Sequence, residues 1–280
     1  MTPPQLKQFA SLWTLHHYPH GSEEGEWSHD QKLAAIKSAG FEGFQGSALP
    51  DFADLSEKHG LSFLGTCDAN AATYVQRLQA FAPLRPVRIN VQLCDHDTEP
   101  RTAVGVWIDL LKVAEDMGLT VDLEVHRDTC TETPEKTWQI ADLFAEATGR
   151  LIRYNFDHSH FAVVKHLAPP YAGRLLERPE LLQASRQIHL RPFNGHHCEI
   201  PVTNGEGKMA ELARPWFDFV EEAFLCWLEG DQAGEQLWAC PEFGAMGSGY
   251  WLPSFPDPWK DAVFTRQELV AIWRRQTAAP

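Results

Sequence analysis

The sequence predicts an α/β protein in which eight strands close into a (β/α)8 barrel, with residues 1–280 forming a single domain. Two observations favour this fold. Apolar strand-like runs alternate with segments of helical spacing along the chain, and eight such runs can be counted. Four predicted helices also end in glycine just before a strand, where glycine adopts a left-handed conformation at no steric cost. These glycines are Gly40, Gly60, Gly118 and Gly149.

The elements follow one another in the order that a barrel requires. Ser28 and Gln31 form a predicted capping box at the start of the first helix, and Thr133-Pro134 predicts the start of another. The predicted strands lie at roughly 11–18, 41–47, 61–67, 87–94, 120–127, 151–158, 186–193 and 237–243. Further helices are expected at 99–117, 134–148, 171–184, 211–229 and 265–276. An open doubly wound sheet is the alternative, but no G-x-G-x-x-G turn follows the first strand, which weakens a nucleotide-binding version.

The segment GSGYWLPSFPDPWK, which follows the last predicted strand, is rich in glycine, proline and aromatic residues. We expect an ordered loop across the barrel mouth, ended by a helix start at Asp257-Pro258. This loop is predicted to help close a pocket or to form a subunit contact.

Composition limits the possible partners. Hydrophobic residues make up 44% and charged residues 22%, and the formal net charge is -14. An acidic chain without a basic stripe is a poor match for nucleic acid. The sequence has no apolar run long enough to cross a membrane and no signal peptide pattern, so a cytoplasmic location is expected. The six cysteines form no C-x-x-C pair, which favours reduced thiols.

Polar side chains follow each of the last four predicted strands, at the end where a barrel gathers its functional residues. These strands read VDLEVHRD, IRYNFDHSH, RQIHLRPF and LWACPEFG. Glu124 and His126 are two residues apart in their strand, as are His189 and Arg191, so each of these two pairs points to one face. The candidates are Glu124 and His126, Asp157 and His160, His189 and Arg191, and Glu242.

A carboxylate or imidazole at the same depth on four consecutive strands predicts a site for one divalent metal ion. Buried carboxylates repel one another and are costly to desolvate, and a doubly charged cation compensates for both. Oxygen and imidazole ligands without thiolate suit Mn²⁺ as the first choice, with Mg²⁺, Co²⁺ or Zn²⁺ as alternatives. The expected ligands are Glu124, Asp157, His189 and Glu242.

The order Glu, Asp, His, Glu on strands five to eight resembles the xylose isomerase-like TIM barrel superfamily of sugar isomerases and epimerases. It is similar to that of ketose 3-epimerases and hydroxypyruvate isomerase. The motifs are the Glu of LEVHRD, the D-x-x-H from Asp157 to His160, the His of QIHLRPFNG and the Glu of CPEFG. The resemblance implies that Glu124 and Glu242 also act as the acid/base pair, and that His160 and Arg191 bind substrate oxygens. His126 is a further candidate, as a hydrogen-bond donor to substrate or as a support for a ligand.

These residues predict a divalent-metal-dependent isomerase or epimerase of a sugar or sugar-derived keto compound, acting through a metal-bound enediolate. If a β-hydroxyl leaves instead, the same site gives a dehydratase, resembling those of 2-keto-myo-inositol or 3-dehydroshikimate. The expected partners are a small sugar-like substrate and a second copy in a homodimer, with no nucleic acid and no membrane.

Two other function classes stay open at this point. An abasic-site endonuclease can use the same barrel, but the third strand, LSFLGTCDA, offers no histidine for its trinuclear zinc centre, and the net charge of -14 disfavours DNA. The other class is a non-catalytic binding module with a structural metal.

Overall fold

A closed barrel of eight parallel strands forms the centre of the computed structural model, which describes residues 2–20 and 25–278. Each strand pairs with its neighbours in chain order, and the first strand closes the barrel against the last. The strands are β1 (Gln5–Ser11), β2 (Gly43–Gly46), β3 (Ser62–Ala69), β4 (Arg88–Leu93), β5 (Val121–Val125), β6 (Tyr154–Asp157), β7 (Gln187–His189) and β8 (Gln236–Cys240). The predicted (β/α)8 barrel is therefore confirmed.

Helices connect the strands and cover the outside of the barrel. They are α1 (His29–Ser38), α2 (Phe52–His59), α3 (Tyr74–Phe81), α4 (Pro100–Asp116), α5 (Pro134–Thr148), α6 (His158–Val164), α7 (Ala172–Leu175), α8 (Pro179–Ala184), α9 (Arg214–Leu228) and α10 (Pro258–Thr277). Short 3-10 helices span Ala82–Leu84 and Glu211–Ala213. In the described part of the chain, none of the helices combines the length and apolar character that a membrane crossing requires.

The local signals at helix ends were read correctly from the sequence. Ser28 and Gln31 form the capping box at the start of α1, and the Thr133 side chain accepts a hydrogen bond from the Lys136 amide at the start of α5. The Asp257 carboxylate caps α10 by accepting hydrogen bonds from the amides of Trp259 and Lys260. All four glycines expected at helix ends have positive φ angles, between 58° and 86°. These are Gly40, Gly60, Gly118 and Gly149.

Two element predictions were wrong. The first strand lies at Gln5–Ser11 and not at 11–18, because the chain after Ser11 makes consecutive turns in which amides bond to carbonyls three residues earlier. His17 there has a φ of 57°, which a strand excludes. The predicted helix 171–184 is two short helices, α7 and α8, and Pro179 begins the second because a proline ring fits the first turn of a helix and not its interior.

Every second strand residue faces the barrel interior, where a small apolar cluster packs below the mouth. It consists of Phe9, Leu64, Trp238 and Cys240. Gly43 makes room for it, since a Cβ there would lie 3.0 Å from the Leu64 side chain and 3.2 Å from that of Trp238. A much larger apolar core fills the space between the strands and the surrounding helices. This apolar cluster fills part of the barrel interior, and polar residues dominate the C-terminal mouth.

Candidate metal centre and active site

Strand register brings the four predicted ligands together. Asp157 and His189 are direct partners between β6 and β7, and His189 is opposite Cys240 of β8. Glu242 follows Cys240 by two residues and so faces the same interior. Glu124 lies near the end of β5, and all four side chains are buried.

The ligand atoms are close enough to share one ion. One potential ligand atom from each of the four residues lies within 4.8 Å of the others. His189 Nδ1 is 3.0 Å from Glu124 Oε1 and 3.2 Å from Glu242 Oε2. Neither ring nitrogen of His189 has the geometry of a hydrogen bond to any described residue, although both are buried. Buried polar atoms without partners surrounded by carboxylates fit a cation site, and this cluster can hold a metal ion.

The buried charges of this cluster shift one another's pKa values. Burial alone would raise the carboxyl pKa of Glu124, but His189 outweighs it and lowers the pKa to about 2. Burial would lower the pKa of His189, but Glu242 and Glu124 raise it to about 10. The pKa of Asp157 is well below its ordinary range, because His160 and Arg191 outweigh its burial. The pKa of Glu242 is also lowered, because His189 and Arg191 outweigh its burial. Three carboxylates therefore stay ionised around a protonated imidazole.

Arg191 joins two of the carboxylates. Its Nε donates to Asp157 Oδ2 at 3.0 Å, and its Nη2 donates to Glu242 Oε2 at 2.7 Å. The side chain is 2% exposed, and Nη1 lies 3.7 Å from Glu199 Oε2 without forming a hydrogen bond. Asp157 and Glu242 thus keep a fixed orientation, and Arg191 balances part of their charge.

Below the cluster, two asparagines orient Glu124. Asn90 Nδ2 donates to Glu124 Oε2 at 2.6 Å, and Asn155 Nδ2 donates to Asn90 Oδ1 at 2.8 Å. Both asparagines are fully buried inside the barrel. This chain fixes one oxygen of Glu124 and leaves the other, Oε1, beside His189.

A fourth buried carboxylate, Glu199, comes from the segment after β7. Its Oε2 accepts a hydrogen bond from the Gly244 amide at 2.6 Å. Burial raises its pKa to about 7, against the lowering effect of Arg191 and of the Gly244 hydrogen bond. Gly244 has no room for a side chain, because a Cβ would come within 2.6 Å of Tyr250 Cβ. Glu199 therefore fixes the backbone two residues beyond Glu242.

A cavity of 450 Å³ opens above the cluster. Its lining includes Glu124, His189 and Glu242, together with His126, Arg191 and Tyr250. The loop after β8 thus contributes to the cavity through Tyr250, as predicted. A second cavity, of 660 Å³, opens at the opposite end of the barrel beside Gln8 and Arg266, away from the cluster.

Two histidines adjoin the cluster in different ways. Burial lowers the pKa of His126, so its imidazole is neutral, and its Nδ1 lies 2.6 Å from the Arg127 carbonyl. A carbonyl oxygen only accepts, so Nδ1 carries the proton and Nε2 is an acceptor. His160 Nε2 lies 3.3 Å from Asp157 Oδ2, and His160 is not among the cavity-lining residues in the described part of the chain.

The structure brings together all seven residues selected from the sequence, with His160 contacting Asp157 and not the cavity. The sequence reasoning missed Asn90 and Tyr250 and gave no role to Glu199. Asn90 could have been recognised from the sequence. It is a polar residue in a buried strand, two residues before Gln92, and so points to the same face as that cavity-lining residue. Glu199 and Tyr250 could not be recognised from the sequence, because their contacts join segments that are distant in sequence.

Comparisons with known proteins bear on the fold. No family model and no curated protein matches the sequence. Among solved structures, a D-tagatose 3-epimerase-like protein matches with a TM-score of 0.60 at 15% identity, over 98% of this chain and 100% of that one. A probable 3-DHS dehydratase of petrobactin synthesis from Bacillus anthracis matches with a TM-score of 0.61 at 13% identity, over 95% and 98%.

A third solved structure is a xylose isomerase-like TIM barrel protein from Mycobacterium smegmatis in complex with magnesium. It matches with a TM-score of 0.59 at 14% identity, over 97% of this chain and 98% of that one. The chain shares the closed (β/α)8 barrel fold of these solved structures. At identities this low the matches establish the fold alone, and the chemistry has to be argued from the site.

Proposed function

We propose that this protein is a divalent-metal-dependent isomerase or epimerase of a sugar or sugar-derived keto compound. The observation that carries the proposal is the convergence of Glu124 and Glu242 on His189, from strands three steps apart, beneath one cavity. The structural similarity to a D-tagatose 3-epimerase-like protein supports this proposal. We infer that Glu124, Asp157, His189 and Glu242 hold the ion, with Mn²⁺ or Mg²⁺ suited to the oxygen-rich set.

When bound, a divalent ion polarises a carbonyl and a neighbouring hydroxyl of the substrate and makes the adjacent C–H acidic. Glu124 and Glu242 then act as base and acid, because they reach the cluster from different sides of the barrel. Asn90 holds one oxygen of Glu124, and Arg191 holds one oxygen of Glu242. Among the described residues, Glu242 Oε1 forms no hydrogen bond and is the oxygen available for proton transfer.

The remaining cavity residues bind and orient. Arg191 balances negative charge that develops on substrate oxygens, because it is fixed beside both Asp157 and Glu242. His126 accepts a hydrogen bond from a substrate hydroxyl through Nε2, which refines the expectation that it donates one. His160 positions Asp157, and its predicted contact with substrate oxygens stays a prediction. A cytoplasmic location and a homodimer also stay predictions.

The alternative is a dehydratase of a keto-polyol such as 2-keto-myo-inositol or 3-dehydroshikimate. It needs the same proton abstraction, followed by departure of a β-hydroxyl, so the site accommodates it equally. The structural similarity to a probable 3-DHS dehydratase is the observation that keeps it as the second candidate.

Incubation of the Mn²⁺-loaded protein with candidate ketoses in D₂O tests the proposal. We expect solvent deuterium at the carbon beside the carbonyl, in a product of otherwise unchanged formula. Loss of water from the substrate would establish the dehydratase instead. Glu242→Gln should lower turnover roughly 10²–10⁴-fold, the usual contribution of a general acid or base. If that variant keeps its metal and its full turnover, the assigned acid/base role is wrong.

A further inference from the structure

Arg127 is a cation at the mouth of the cavity whose charge no other described residue neutralises. It directly follows His126, is exposed, and lines the same cavity as Glu124 and Glu242. Among the described residues, its guanidinium forms neither an ion pair nor a hydrogen bond. In a chain of net charge -14, an arginine without an ion pair is unusual in a cavity that is also lined by three carboxylates. These are Asp68, Glu124 and Glu242.

The acidic residues near Arg127 are committed elsewhere. In the same loop, Asp128 lies 2.7 Å from His96 Nδ1, and Glu132 accepts from the Asp128 amide at 3.3 Å. Across the cavity, both oxygens of Asp68 accept from Arg77, at 2.9 and 3.2 Å. The charge of Arg127 is therefore left for a group that enters the cavity.

Tyr250 positions this guanidinium without neutralising it. The Arg127 guanidinium carbon lies 4.6 Å from the centre of the Tyr250 ring, and that of Arg191 lies 4.5 Å from the same centre. A cation attracted to an aromatic face keeps its donors for other partners. Arg191 already donates to Asp157 and Glu242, so Arg127 is the arginine that can bind an incoming anion.

The loop that carries Arg127 is rigid and linked to the metal cluster. Thr131 Oγ1 donates to the Glu124 carbonyl at 2.6 Å, and Thr129 Oγ1 donates to the His126 carbonyl at 2.7 Å. These hydrogen bonds, one buried and one partly buried, fix the backbone at Arg127 relative to Glu124. A subsite there keeps a constant distance from the reacting carbon.

We propose that Arg127, held by Tyr250, is a specificity-determining residue that binds a carboxylate at the end of the substrate remote from the metal cluster. The substrate is then an acidic keto compound, such as a keto sugar acid; this inference rests on the proposed function. The planar fork of one arginine matches a carboxylate and a phosphate alike, so the rest of the cavity decides between them. A phosphate would call for backbone donors at a glycine-rich turn, and no glycine lines the cavity within the described chain.

Three related compounds test the subsite: D-fructose, its acid D-fructuronate, and D-fructose 6-phosphate. With the Mn²⁺-loaded protein, deuterium exchange beside the carbonyl should be fastest for D-fructuronate. Arg127→Met should lower the ratio of kcat/KM for D-fructuronate over D-fructose about 10–100-fold, mainly through KM, because one charge-assisted interaction is lost. Arg101→Met, on the exposed face of α4, is the matched control and should leave the ratio unchanged.

Direct binding separates this proposal from the proposed function. If none of the three compounds exchanges deuterium, the isomerase proposal is in doubt, but titration calorimetry with D-fructuronate still decides the subsite. Tighter binding of D-fructuronate than of D-fructose, lost in Arg127→Met, supports it. An unchanged ratio or affinity in Arg127→Met overturns it, and so does a preference for D-fructose or for the 6-phosphate.

Discussion

At the scale of single residues, the cluster depends on neighbours that hold each carboxylate in one orientation. Asn90 fixes Glu124, Arg191 fixes Glu242, and Ser159 donates to Asp157 through both its amide and its hydroxyl. Such contacts set the direction of the remaining oxygen, and a metal site needs ligand atoms that converge before the ion arrives.

Asn90→Val tests this orientation. Valine fills similar space but donates no hydrogen bond, so Glu124 Oε2 loses its 2.6 Å contact. We expect Mn²⁺ affinity, measured by titration calorimetry, to fall about 10–100-fold, as is usual when the residue that orients a ligand is removed. Thr66→Val is the control, because the Thr66 hydroxyl contacts Asn90 at 3.3 Å but not Glu124, and it should change affinity much less. Equal affinities for the two variants would contradict the role given to Asn90.

At the scale of elements, the segment after β7 is held by α10. The Asp261 carboxylate, in the first turn of α10, accepts from the Val202 amide at 2.9 Å and from the Thr203 hydroxyl at 2.5 Å. The same segment carries Glu199, which fixes Gly244. Helix α10 therefore holds this segment through Asp261, and Glu199 of the segment in turn holds the backbone beside Glu242.

Asp261→Ala should destabilise the fold, because it leaves the Val202 amide and the Thr203 hydroxyl buried without acceptors. We expect the free energy of unfolding in urea to fall by about 2 kcal/mol, within the range for buried groups left unpaired. Gln267→Ala, an exposed position of the same helix, should change it by less than about 0.5 kcal/mol. A similar loss in both variants would mean that the contacts of Asp261 do not stabilise the segment.

Elements could be predicted from sequence wherever the signal is local. Caps at Ser28, Thr133 and Asp257 were recognised because each side chain bonds to its own helix. The first strand was misplaced because the apolar run after Ser11 packs as buried turns, with Leu15 fully buried. Hydrophobicity predicts burial there, but only the hydrogen bonds distinguish a turn from a strand.

At the scale of the whole molecule, barrel closure explains why four ligands could be predicted and their supports could not. Consecutive parallel strands place their C-terminal ends side by side, so strand order alone brings Glu124, Asp157, His189 and Glu242 together. The contact of Glu199 with Gly244 joins two loops 45 residues apart, and no sequence period indicates it. A site on strand ends is thus readable from topology, whereas its loops require the folded structure.

Metal binding should stabilise the whole barrel, because the ion binds the folded cluster and not the unfolded chain. At 100 times its Kd, Mn²⁺ contributes about 2.7 kcal/mol. For a chain of 280 residues, that corresponds to a rise in Tm of roughly 5 °C over EDTA-treated protein. Asp157→Asn should lose most of this gain, and Glu146→Gln, on the exposed side of α5, should retain it. An absence of any gain in the unmodified protein would argue against the metal centre.

The gain in Tm should also depend on pH, because the ion and a proton compete for His189. Without metal, Glu242 and Glu124 raise the pKa of His189 to about 10, above its ordinary value of 6.5. Its proton therefore stabilises the metal-free fold fully below pH 6.5, and this stabilisation is lost as the pH rises towards 10. Metal binding must displace that proton, so the Mn²⁺-dependent rise in Tm should be larger at pH 8 than at pH 6. Equal rises at both pH values would show that His189 does not exchange its proton for the ion.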